Sequence, residues 1–212
     1  MTLCVENLTI RNNSSEILFN GLNLTVEAGQ IAALMGPSGC GKSTLLSLIA
    51  GHLASEFSYS GHIRLNERDL CSLAPHQRQV GILFQDDLLF PHLNVWQNLA
   101  FALPNSIKGK HRETAVLQAL DTIKLAHLAN SAPNQISGGQ RARISLTRML
   151  LAKPQLALLD EPFNKLDAQI RAEFRHWVFE QLRQANIPAI LVTHDQQDTP
   201  CDGQILHWPW RN

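Results

Sequence analysis

GPSGCGKST, residues Gly36 to Thr44, fills every fixed position of the phosphate-binding loop pattern GxxxxGK(S/T). Gly36, Gly41, Lys42 and Ser43 hold those positions. The apolar run Ile31–Met35 before it predicts a buried strand, and the apolar-periodic run Leu45–Ala50 after it predicts a helix. Strand, loop and helix in that order are the context the pattern requires. Small residues let backbone N–H groups turn inward without Cβ clashes. With the helix N-terminus behind them, those groups form a positive nest for phosphates, to which Pro37, Ser38, Gly39, Cys40 and Thr44 also belong. Lys42 adds a point charge able to reach the β- and γ-phosphates, and the Ser43 hydroxyl can ligate an Mg²⁺ that bridges them. A Gly-rich turn before a helix is the bland alternative. With Gly near ~7% of residues, a chance match is roughly a one-per-cent event in a chain this long. The loop specifies a nucleoside triphosphate, and other residues must say what for.

The 212 residues suit one α/β domain with room for a subdomain. Lys plus Arg and Asp plus Glu are 18 each, so the net charge is zero, which argues against broad binding to nucleic acid. The four cysteines, Cys4, Cys40, Cys71 and Cys201, show no zinc-site or redox spacing and read as free thiols. The start, MTLCVENLTI, lacks the basic and apolar regions of a secretory signal, and no apolar run is long enough to span a bilayer. Work at a membrane would therefore need a partner that supplies the span.

Alternation of Leu22, Leu24 and Val26 predicts a half-buried strand, and Gly61–Leu65 alternates again. Val80–Phe84, Leu156–Leu159 and Ile190–Val192 are apolar runs with strand character, and Ile205-Leu206 suggests a short last one. Most of 99–150 reads as helical, with Ala115, Ala119, Ile123 and Ala126 on one stripe and Leu120 and Leu128 nearby. Ile170, Phe174, Trp177, Val178 and Leu182 recur at helical spacing, most simply as core packing.

Five stretches stand in order: GPSGCGKST; Gln85 after the strand Val80–Phe84; Ser137-Gly138-Gly139-Gln140 opening a helix; Leu156–Leu159 followed by Asp160-Glu161; and His194 closing Val192-Thr193-His194. Together they resemble the nucleotide-binding subunit of ATP-binding cassette (ABC) transporters, of the bacterial importer type that uses a separate binding protein. The resemblance covers nearly the whole chain, and SGGQ is its most diagnostic part. It implies an α/β fold: a P-loop NTPase core with an N-terminal antiparallel β subdomain and an inserted helical subdomain. The chain would be a single nucleotide-binding domain over 1–212, with its core at about 1–85 and 151–212 and the helical subdomain at about 86–150.

Chemistry supports the roles that the resemblance implies. Asp160 ends a buried strand, where an acid can hold the Mg²⁺ shell together with Ser43. Glu161 is then placed to deprotonate the attacking water, and its position before Pro162 predicts extended backbone. By resemblance Glu161 is the general base, Lys42 and His194 contact the γ-phosphate, and Gln85 reaches Mg²⁺ and the water. Ser137, Gly138, Gly139 and Gln140 form a second anion site at a helix N-terminus, and Ser137 also suits a plain cap. In the family that site faces the ATP of a second copy, and the segment Phe163–Asp167 resembles the loop that crosses the same interface. The implied cofactors are ATP and Mg²⁺. The implied partners are integral membrane permease subunits, a second copy of the chain and a periplasmic or surface solute-binding protein, without nucleic acid. The implied location is peripheral, on the cytoplasmic face of the inner membrane. An export or lipoprotein-release ATPase, or a soluble ABC ATPase acting on nucleic acid, is the alternative.

The sequence departs from the family in several places. Asn164-Lys165 stands where Ser-Ala is usual, and Ile136 where Leu is usual. No aromatic residue lies near Asn12 or Asn13 to stack on adenine, so weak ATP binding and poor discrimination from GTP are expected unless Phe19 or the stem of Arg11 covers the base. After His194 the usual acidic helix is eroded to Gln196-Gln197-Asp198-Thr199-Pro200. No regulatory C-terminal domain is expected.

Overall fold

The computed structural model describes every residue except Asp167, Arg211 and Asn212, and only the backbone of Ala168, Gln169 and Ile170. Asp167 of the interface segment and the Ile170 side chain of the helical stripe therefore lie outside the described residues. The chain divides into two compact units: Met1–Ile82 with Gln155–Glu161 and Phe179–Asn212, and Leu83–Pro154 with Pro162–Val178.

In the first unit, β1 (Thr2–Asn12), β2 (Ile17–Glu27), β4 (Phe57–Leu65) and β5 (Arg68–Asp69) form an antiparallel sheet in the order β2-β1-β4-β5. A second sheet has the order β6-β7-β8-β3-β9, from β3 (Ile31–Met35), β6 (Val80–Leu83), β7 (Leu156–Asp160), β8 (Ala189–Thr193) and β9 (Gln204–His207). There β7 and β3 flank β8 and run parallel to it, and β9 runs parallel to β3. Strands buried on both faces read as continuous apolar runs. Leu156–Leu159 and all of β8 are accordingly buried. One core cluster joins Leu3, Leu8, Phe19 and Leu24 of the antiparallel sheet to Leu45 and Ile49 of α1 (Lys42–Ala50) and to Leu158 and Ile190. That burial fixes α1, and so the loop that leads into it.

In the second unit, α2 (Val95–Ala102), α3 (Gly109–Thr122) and α4 (Gly138–Leu151) share a core of Val95, Leu99, Val116, Leu120, Ile123 and Ile144. Ile123 of the stripe expected from sequence, and Leu120 beside it, are buried as expected; Val116 joins them, and Ala115 is only partly buried. Longer apolar side chains gain more from burial than alanine does, and they set the rotation of the helix. The last long helix, α5 (Ala168–Ala185), crosses the division after Val178. Among the described residues no helix is long and apolar enough to cross a membrane.

Candidate functional site

Residues of the first unit converge where β3, β8 and β7 end. Ligands of open α/β sheets bind outside such carboxyl ends. Sheet register brings the ends level: Asp160 pairs with Val192, and Met35 with Thr193. Gly36 N–H donates to Thr193 O at 3.4 Å, and Glu161 N–H to Val192 O at 3.0 Å. Gly41 has φ +97°, and a Cβ there would lie 3.0 Å from Leu18 Cβ. A Cβ at Gly36 would lie 2.7 Å from Cys40 Sγ and 2.8 Å from Trp208 Cβ. Crowding therefore demands glycine at Gly36, and the left-handed conformation demands it at Gly41. Pro37, Ser38 and Gly39 are exposed, and Cys40 and Thr44 are half-buried.

Lys42 is only 5% exposed. Its Nζ donates to Gly36 O at 2.7 Å and Pro37 O at 2.9 Å, and lies 3.9 Å from Glu161 Oε1. The other carboxylate oxygen of Glu161 is 3.3 Å from His194 Nδ1. The Ser43 hydroxyl donates to Asp160 Oδ1 at 3.0 Å. Burial raises the Asp160 carboxyl above the ordinary carboxylate range, and neighbouring Glu161 adds to the rise; the Ser43 donor and the Lys42 charge oppose it. Two hard oxygen groups, one exposed, suit Mg²⁺, which keeps several waters and takes one or two protein oxygens beside phosphate. Among the described residues no group of three or more His, Cys, Asp or Glu could hold a metal by itself.

The backbone of Glu161 is not extended: its φ is +46°, in the left-handed region. That conformation costs a non-glycine residue about 1–2 kcal/mol. The turn is held by the bond from Glu161 N–H to Val192 O, and it leaves the carboxylate between Lys42 and His194. A polar network that begins at Thr193, next to His194 in the chain, has no clear signal in the sequence. Thr193 is fully buried; its hydroxyl donates to Asp198 Oδ2 at 3.3 Å and accepts from Asp195 N–H at 3.1 Å. Asp198, read from sequence as part of an eroded tail, is 1% exposed.

The other sequence-predicted residues belong to the second unit. Gln85 is exposed, two residues past β6. Ser137 caps α4: its Oγ accepts from Gln140 N–H at 3.3 Å, and Gln140 Oε1 accepts from Ser137 N–H at 2.8 Å. This reciprocal pair satisfies two orphan donors. Ser137 is exposed, and a Cβ at Gly138 would meet nothing closer than Arg141 Nη2 at 3.8 Å. The helix N-terminus at Gly138 is therefore open. The segment after Gln85 is fastened to α4. Arg141 Nε donates to Asp87 Oδ2 at 2.6 Å, Ser145 Oγ to Asp87 O at 2.6 Å, and Arg148 Nη2 to Leu88 O at 2.9 Å. Lys165 pairs with Asp86.

A phosphate-binding loop, an acid at the end of a strand two places along the same sheet and a glutamate beside the loop lysine define a phosphate-loop ATPase. The chain belongs to the ABC transporter family, whose description "ABC transporter" matches residues 19–164, and it is an ATP-binding ATPase of that family. It is 50% identical over 204 residues to the uncharacterized ABC transporter ATP-binding protein YnjD of Escherichia coli strain K12, covering 96% of this chain and 94% of that one. It is 43% identical over 206 residues to the sulfate/thiosulfate import ATP-binding protein CysA of Mannheimia succiniciproducens, covering 93% of this chain and 56% of the relative. With CysA of Escherichia coli strain K12 the identity is 40% over 203 residues, covering 93% and 54%. The chain thus spans about half the length of those sulfate/thiosulfate relatives.

Proposed function

We propose that this chain is the ATP-hydrolysing subunit that energises import of a solute through a separate membrane permease. The observation that carries the chemistry is Glu161, held 3.9 Å from Lys42 and 3.3 Å from His194 beside the phosphate loop. The loop N–H groups and Lys42 bind the β- and γ-phosphates. Glu161 takes a proton from water as its oxygen attacks the γ-phosphorus, and the bond to the β-γ bridging oxygen breaks, leaving ADP and phosphate. His194 orients the γ-phosphate, and Gln85 is assigned to the water and the metal by its likeness to the family's glutamine alone. Ser43 and Asp160 would hold Mg²⁺, which would neutralise charge on the phosphates.

The whole chain acts as one nucleotide-binding domain, with a catalytic core and a helical subdomain. Ser137, Gly138, Gly139 and Gln140 meet the ATP of a second copy, so two chains close on two nucleotides. Phe84, Leu88 and Phe101 of the second unit are 44%, 54% and 69% exposed, and they offer apolar surface to the permease. The chain sits on the cytoplasmic face of the membrane, in a system that includes a solute-binding protein. Likeness to import ATPases supports the direction. The test is to pull down the tagged chain from membranes, identify the permease that accompanies it, and measure ATP-dependent uptake in vesicles. Recovery of an exporter, or of nucleic acid without a membrane protein, would overturn the reading.

A further inference from the structure

The C-terminal segment lies against the phosphate loop. Strand β9 pairs with β3 through Met35–His207, and the Trp208 N–H continues the ladder by donating to Met35 O at 2.8 Å. This puts Trp208 beside Gly36, the first residue of the loop. At the other fixed glycine, Gly41, the neighbours are Leu18 and Phe19 of β2. Between β2 and this segment is a cavity of about 360 Å³, lined by Ile17, Leu18, Asn20, Trp208, Pro209 and Trp210. Its size falls in the small-ligand range of about 300–1,000 Å³.

The two tryptophans differ. Trp210 is 7% exposed and stacks on Phe19, with centroids 5.0 Å apart and planes at 12°. Phe19, at 1% exposure, is therefore core and presents no free face. Trp208 is 49% exposed, lines the cavity and lies beside Gly36 of the loop. The other candidates for covering a base are unsuited. The Asn12 amide is engaged with Glu16, donating to its Oε2 and accepting from its N–H, both at 2.9 Å. Arg11 lines a different, mostly polar depression with Thr9, Ser58, Tyr59 and Ser60, and none of these residues lines the cavity at Trp208.

We propose that this cavity receives the base of the bound nucleotide and that Trp208 is its stacking platform, with Leu18 as apolar wall and the Asn20 amide at the base edge. The inference rests on the ATPase reading and deepens it. Every base has a π-face that an aromatic side chain can cover. A base placed here is continuous with phosphates held between Gly36 and Gly41.

The test uses the full-length chain. Trp208→Ala should raise the KM for ATP about 5- to 150-fold, the range expected for loss of one base stack, with little change in kcat. Trp208→Phe should restore most of the affinity. Inhibition by inorganic triphosphate, which has no base, should be the same in all three proteins. ATP should quench indole fluorescence in the wild type and do so far less in Trp208→Phe. An unchanged KM in Trp208→Ala, or equal weakening of inorganic triphosphate, overturns the proposal while wild-type hydrolysis leaves the ATPase reading standing. A wild-type chain that neither binds nor hydrolyses ATP overturns both.

Discussion

The Ser43 hydroxyl donates to Asp160 Oδ1 at 3.0 Å across a sequence separation of 117 residues. The hydroxyl begins the helix behind the phosphate loop, and the carboxylate ends β7. One hydrogen bond thus joins the segment that cradles phosphate to the strand that carries the two acids.

The Asp160 carboxyl is held above its ordinary range, chiefly by burial. A raised folded value means that the folded protein holds this proton more tightly than the unfolded chain does. The stability it contributes is fully present below the unfolded value of about 3.9 and is lost as pH rises through the folded value. At neutral pH the ionised group therefore opposes folding, and Asp160→Asn should raise Tm there. The gain should vanish near pH 3 in calorimetric scans of both proteins. Mg²⁺-dependent hydrolysis should be lost in the same variant, so the substitution separates stability from activity.

Glu161→Gln keeps the shape of the side chain and removes its basicity. Hydrolysis should fall about 100- to 10,000-fold, the usual share of a general base, while ATP still binds. The variant should then accumulate as an ATP-bound dimer on gel filtration. Hydrolysis at the wild-type rate would show that another group takes the proton.

Ser137 serves the helix whether or not it serves a second nucleotide. Ser137→Ala should cost about 0.5–2 kcal/mol by loss of the cap, read by denaturant titration. Ser137→Arg should block an anion at the same helix end and abolish ATPase activity. Mixed with an inactive Lys42→Ala chain, it leaves one damaged and one intact interface, and activity should return in part. Full activity in Ser137→Arg alone would remove Ser137 from the nucleotide site.

Arg148 holds the segment after Gln85. It donates to Leu88 O at 2.9 Å and to Asn98 Oδ1 at 3.3 Å, with its guanidinium 5.3 Å over the Phe90 ring. Lysine cannot reproduce this planar fork. Arg148→Lys should cost about 1.5–3 kcal/mol, the worth of a hydrogen bond to a charged group. Faster hydrogen exchange of the Phe90 amide, which donates to Asn98 Oδ1 at 2.8 Å, should accompany the loss. Unchanged protection there would show that Asn98 alone fixes the segment.

Much of the fold is legible in short stretches. Ile31–Met35, Leu156–Leu159 and Ile190–Val192 are unbroken apolar runs, and each lies within a strand of the parallel sheet. Alternation at Leu22, Leu24 and Val26 matches the buried face of β2. The α3 stripe was legible only in part, because alanine and leucine both count as apolar while only the longer side chains set the helix rotation.

Sequence by itself determined what contiguous residues can do. The phosphate loop needs its glycines, lysine and serine within nine positions, and the cap of α4 needs Ser137 and Gln140 three apart. Tertiary structure decided what is brought beside them. The order β7-β8-β3-β9 arises from pairing between distant strands, and no local pattern encodes it. That order sets Asp160, Glu161 and His194 around Lys42 and Ser43, and it turns Glu161 into a left-handed conformation where pre-proline preference alone predicts an extended one. It also places Trp208 at Gly36, a juxtaposition that follows only because β9 adds to the open edge of β3.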